Sequence, residues 1–122
     1  MPTIAELVSE GAHLFDERRF FEAHEVWEAR WLVETDEARR LLLQGLIQIA
    51  AAFHKLVDKN APEPAASLFA KGLAKLDRSL GDAMGDLSSA LTRFRDDVRA
   101  CASALAERRF EATMIPRIGA IA

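Results

Sequence analysis

Along most of the chain the apolar residues return every three to four positions, and no stretch alternates with the two-residue period of a strand. The pattern predicts an all-α fold. Ile4, Leu7, Val8, Gly11, Leu14 and Phe15 form one stripe of a helix expected from about residue 4 to 17, opened by the T-x-x-E capping box of Thr3 and Glu6. His13 falls opposite that stripe. A second helix is expected from about 19 to 33, after a short joint at "DERR". A third opens with Thr35 or Asp36 as N-cap, carries acidic residues in its first turn, and runs to about Lys59 before ending at Asn60. Leu41, Leu42, Leu43, Leu46, Ile47, Ile49, Phe53 and Leu56 go all round it, leaving a narrow polar strip of Glu37, Arg40, Gln44, Gln48 and Lys55. A helix apolar on nearly every side is the central element of its domain.

The fourth helix starts at Pro62 or Pro64 and stops near Gly81, with Leu68, Phe69, Leu73, Leu76 and Leu80 inward and "GDAMGDLSS" as the following turn. The fifth places Leu87, Leu91, Phe94, Val98, Cys101 and Leu105 on a seam with alternating spacings of four and three. The period is lost at Pro116. The tail, 109–122, is therefore expected to be irregular and docked through Phe110, Met114, Ile115 and Ile118. Residues 1–122 read as one single-domain bundle of about five helices, built from helical hairpins around a long third helix. The hairpin pattern resembles that of tetratricopeptide arrays, but no second segment reproduces "FFEAHEVWE", which favours a closed bundle over a solenoid.

Composition narrows the partners. With 122 residues, 50% of them hydrophobic, one core of ordinary proportions forms. The formal charge is −3 and the basic residues are interspersed with acidic ones, so no stripe tracks phosphates and nucleic acid is not an expected partner. No basic leader with an apolar run opens the chain, and its longest apolar stretch, "LLLQGLIQIAAAF", is broken by Gln44 and Gln48. The expected location is cytoplasmic, with no membrane partner. The single cysteine, Cys101, excludes an intrachain disulfide and, lying on a leucine face, reads as a small buried hydrophobe.

Candidate chemistry concentrates in "FFEAHEVWEARW", residues 20 to 31. On a helical wheel at 100° per residue with Phe20 at zero, Trp31 falls at about 20°, His24 at about 40°, Glu28 at about 80° and Trp27 at about 340°. His24 and Glu28 are thus expected inside the aromatic arc, where polar groups need partners. Three satisfiers are open. The pair forms a buried hydrogen-bonded network with the third helix; or it ligates a divalent metal ion (Zn, Mn or Ni), with His54, and after it Gln48 and Gln44, as further ligand candidates; or it serves a small polar ligand or substrate in a pocket of Trp27, Trp31, Phe20, Gln44 and Gln48, with His24 as acid or base and Glu28 as its orienter. "HEVWE" is the HExxH zincin pattern with Glu28 in place of the second histidine.

These residues also carry a resemblance. "LFDERRFFEAHEVWEARW" followed by "LLLQGLIQIAAAFHKL" resembles the bacterial and archaeal family called domain of unknown function 309, whose signature HxxxExxW is matched by His24, Glu28 and Trp31. The resemblance implies a small all-helical domain in which metal binding has been suggested for the His and Glu pair, and it implies no activity. The function expected from the sequence is that of a binding or scaffold domain whose distinctive feature is a semi-buried cluster of His24, Glu28 and Trp31, with a metal or small-ligand pocket. The alternatives are a metal-dependent hydrolase using His24 and Glu28, and a helical protein-interaction module. Partners compatible with this reading are a small ligand, another protein or a second copy of the chain.

Overall fold

The computed structural model describes residues 3–80 and 87–119, with the side chains of Leu87 and Ser88 excepted. Helix α1 (Ile4–Asp16) is followed by α2 (Phe20–Val33), α3 (Glu37–Phe53), α4 (Pro62–Ser79) and α5 (Leu87–Ala106). The "GDAMGD" part of the turn before α5, and the last three residues of the tail, lie outside the described residues. The N-cap half of the capping box is formed: the Thr3 hydroxyl oxygen accepts from the Glu6 N–H at 3.1 Å, and the hydroxyl donates to Glu6 Oε1 at 3.2 Å. Asp36, rather than Thr35, caps α3 by accepting from the Arg39 N–H at 2.9 Å.

Each helix packs mainly on the next in the chain: α1 on α2, α2 on α3, α3 on α4 and α4 on α5. The stretch Glu37–Asp58 is long and apolar enough to cross a membrane by length and composition; here it packs against α1, α2 and α4 as the central helix. The backbones of α3 and α4 approach closely at Gly45 and Gly72, where a Cβ on Gly72 would lie 3.0 Å from the Gly45 carbonyl oxygen. Aromatic rings close the series of hairpins into a bundle. Phe15 of α1 lies 5.0 Å from Phe20, 5.5 Å from Phe53 and 5.2 Å from Phe94, centroid to centroid, and so joins α2, α3 and α5. Edge-on contacts of this kind add about 0.5–1.5 kcal/mol each to the area they bury.

Two helices end in the same way, and the sequence reading did not single this out. "ERRF" occurs at Glu17–Phe20 and again at Glu107–Phe110. In each the first arginine adopts a left-handed φ, 68° at Arg18 and 60° at Arg108. The next N–H then reaches back: Arg19 to the Leu14 carbonyl at 3.0 Å, and Arg109 to the Ala104 carbonyl at 2.8 Å. This is the Schellman closure, with arginine in the place usually held by glycine.

The tail is docked as expected, with Ile115 and Ile118 buried and Phe110 and Met114 half-buried, and it contains one short 3-10 turn, Ala112–Met114. Its main anchors are polar. The Arg18 guanidinium donates to the carbonyls of Ile115 and Pro116 at 3.0 and 3.1 Å, and the Asp16 carboxylate accepts from the N–H groups of Ile118 and Gly119 at 2.7 and 3.0 Å. The "DERR" joint is therefore a clamp as well as a turn.

The rotation of α2 is set by one contact. The Trp27 indole is buried, donates from Nε1 to the Val8 carbonyl at 3.1 Å, and occupies the notch at Gly11, where a Cβ would fall inside the ring. Alanine normally stabilises a helix interior by about 1 kcal/mol over glycine. Gly11→Ala is expected to do the opposite and cost about 3 kcal/mol, because overpacking must displace the indole; urea unfolding measures the sign.

Cys101 is buried, and its thiol donates to the Met114 carbonyl at 3.3 Å. Burial, with the Asp97 charge adding to it, pushes this thiol up from 9.0 to about 11. Its contribution to stability is complete below the unfolded pKa and is lost as pH rises from about 9 towards 11, since only the unfolded chain ionises in that window. Comparing wild type with Cys101→Ala by denaturant unfolding should show the difference between them shrinking across that range.

Candidate functional site

The notch at Gly11 decides which residues of α2 reach the surface. Phe20, Ala23 and Trp27 are buried, so the inner face of α2 centres near about 330° on the same wheel and not between Phe20 and Glu28. His24 and Glu28 lie on its margin. The His24 side chain is 25% exposed and that of Glu28 is 47% exposed, while Phe21 stands at 48%. His24, Glu28 and Trp31 are each of intermediate burial, the semi-buried setting expected of the cluster, but the pair lies on the seam between α2 and α3 rather than aimed at the core. Phe20 and Trp27, expected as pocket walls, are core residues; Trp31 is half-buried and does line the seam.

Two imidazoles meet at this seam. His24 Nε2 lies 3.4 Å from Glu28 Oε2, and His54 Nδ1 lies 2.8 Å from Asp58 Oδ2. Both are i, i+4 pairs. The second was legible as H-x-x-x-D in the same spacing as H-x-x-x-E, but Asp58 was not singled out. The backbone helps, because His54–Asp58 is a turn of π-helix that widens the end of α3 before Asn60, with φ 50°, stops it. The Phe21 ring stands against both imidazoles, with centroids 5.9 Å from His24 and 5.2 Å from His54. Phe21, His24, His54, Ala51 and Lys55 line an opening of about 210 Å³.

The rest of the predicted site is divided. Gln44 lines a smaller opening of about 120 Å³ with Glu28, Trp31 and Gln48. Gln48 does not turn to His24; its side-chain oxygen accepts from Lys75 Nζ of α4 at 2.8 Å. A buried network between His24, Glu28 and the glutamines is therefore not what holds the pair. His24 Nδ1 is buried with no hydrogen-bond partner, a state that costs about 1–3 kcal/mol. The metal set of His24, Glu28 and His54 is not assembled either: His54 bonds Asp58, Phe21 stands against both rings, and among the described residues no three His, Cys, Asp or Glu side chains are grouped to hold an ion.

With the geometry in view, comparison with known proteins places the chain. Residues 8–68, half of its length, match the family described as "Domain of unknown function (DUF309)". The chain belongs to the DUF309 family. The matched segment runs from the inner face of α1 to the first turns of α4, and so contains the whole α2–α3 seam and leaves out α5 and the tail. No curated protein and no solved structure gives a significant match. A wider opening of about 630 Å³ lies elsewhere in this DUF309 protein, between Leu56, Pro62 and Glu63 on one side and Leu105, Arg108 and Phe110 on the other, and carries no imidazole.

An ion pair with a half-exposed carboxylate couples weakly, by no more than about 0.5 kcal/mol. In a double-mutant cycle of His24→Leu and Glu28→Gln, the coupling is expected to stay within that limit, and His24→Leu should raise Tm by removing an unpaired buried nitrogen. A coupling above about 1.5 kcal/mol would restore the buried network.

Proposed function

We propose that this DUF309 domain is a binding domain that holds a small ligand at the opening of Phe21, His24 and His54. The observation that carries this reading is the buried, unpaired Nδ1 of His24. Buried polar atoms in structural roles are nearly always paired, whereas side chains retained for function are often not optimised for stability. The ligand this opening fits is a small molecule with an apolar face for Phe21 and Ala51 and hydrogen-bonding atoms for the outward imidazole nitrogens. With Asp58 on Nδ1, His54 turns Nε2 away from that carboxylate and free to meet a ligand.

A fragment library screened by amide correlation spectra tests the reading. Hits should move the signals of Phe21, His24, Ala51 and His54 together, and His24→Leu should abolish those movements while remaining folded. Hits that gather at other surfaces, or none at all, would remove the proposal. Titration with Zn²⁺, Mn²⁺ and Ni²⁺ is the companion experiment. Stabilisation by metal follows RT ln(1 + [L]/Kd), so a rise in Tm that disappears in His24→Ala would assign the pair to metal binding instead.

A further inference from the structure

A further opening, of about 420 Å³, lies at the corner where α2 hands over to α3, and Arg78 of α4 reaches it. Its walls include Trp31, Glu37, Arg40, Gln44 and Arg78. Arg40 is held in place before any ligand arrives. Its Nη1 donates to the carbonyls of Trp31 at 2.7 Å and Glu34 at 2.9 Å, and its guanidinium carbon lies 4.4 Å from the centroid of the Trp31 ring. Those bonds occupy one nitrogen of the fork and leave Nε and Nη2 with their donors.

Among the described residues no carboxylate lies within ion-pair distance of Arg40 or Arg78. The neighbouring carboxylate of Glu34 is committed elsewhere, accepting from the N–H groups of Thr35 and Asp36 at 3.0 Å each, with Arg39 at 4.0 Å. Glu37 is the one acid in the walls, so the two guanidiniums leave the opening with a net charge of +1 in a chain whose formal charge is −3. The N-terminus of α3 at Glu37 adds partial positive charge of its own. A fixed guanidinium, a second one beside it and the Gln44 amide form a donor set suited to a planar or tetrahedral oxyanion.

We propose that this corner binds an oxyanion, as a phosphate or a carboxylate group, between Arg40 and Arg78. Pre-fixing Arg40 on two carbonyls and an indole removes much of the ordering cost of the contact. Glu37 opposes the anion and limits its affinity.

Isothermal titration at low salt with inorganic phosphate and, separately, with acetate tests the site in the whole chain. Saturable one-to-one binding of at least one of them is expected. Binding of phosphate alone identifies phosphoryl groups as the source, and binding of acetate identifies carboxylates. Arg78→Gln should weaken the interaction by about tenfold, the loss of one charge-assisted contact. Glu37→Gln should strengthen it by about threefold, since a like charge is removed. Arg40 is left intact because it also caps α2. His24→Leu should leave the titration unchanged, so the fate of this site is read independently of the ligand opening at Phe21. Failure of both anions to bind saturably, or an Arg78→Gln variant that binds as wild type does, overturns the proposal.

Discussion

The seating of the Trp27 indole on Gly11 is the constraint from which the rest of the α2 surface follows. An indole is the largest side chain this helix buries, and only a residue without a Cβ on α1 leaves room for it. The hydrogen bond from Nε1 to the Val8 carbonyl fixes its direction as well as its depth. Once that ring is placed, Phe20 and Ala23 must point inward and Phe21 outward, because the helical repeat allows no other choice. His24, Glu28 and Trp31 then fall along the edge facing α3. The candidate site is thus a by-product of core packing in its location, though not in its chemistry.

Much of the fold was legible from single-chain patterns. The capping box at Thr3, the central position of α3, the stop at Asn60 and the docking of Ile115 and Ile118 each depend on local signals or on a stripe within one segment. What stayed hidden depends on a partner in another segment. The wheel for α2 gave the aromatic arc its correct members and the wrong centre, since the notch that receives Trp27 lies in α1. Gln48 reads as a wall of the pocket at His24 until Lys75, twenty-seven residues on, is seen to take its side-chain oxygen. Asp58 was available in the sequence at the same spacing from His54 as Glu28 from His24, and was passed over because the π turn that positions it has no simple sequence pattern.

The seam and the corner differ in how they treat polar groups. At the corner Arg40 is held by two backbone carbonyls and the Trp31 ring, which makes the guanidinium rigid. At the seam His24 keeps a nitrogen without a partner, and the Glu28 contact is long and half in water. Stability would be served by a leucine at position 24. The seam is backed by the α3 and α4 pair, whose backbones approach closely at Gly45 and Gly72.

The clamp of Asp16 and Arg18 on the tail joins residues whose positions differ by 97 to 103 along the chain. Most of the other packing links a helix to its successor, the contacts of Phe15 with Phe53 and Phe94 apart, and so becomes available as soon as the next helix exists. Local contacts of that kind favour rapid folding, while closure between distant segments is entropically slow. On a ribosome, the α1–α4 portion is free to pack during synthesis, but the four hydrogen bonds of the clamp need residues 115 to 119 and are complete only when residue 119 has emerged. Until then Asp16 and Arg18 remain at the mercy of water, and a chain interrupted anywhere before the tail would be released with this charged joint open.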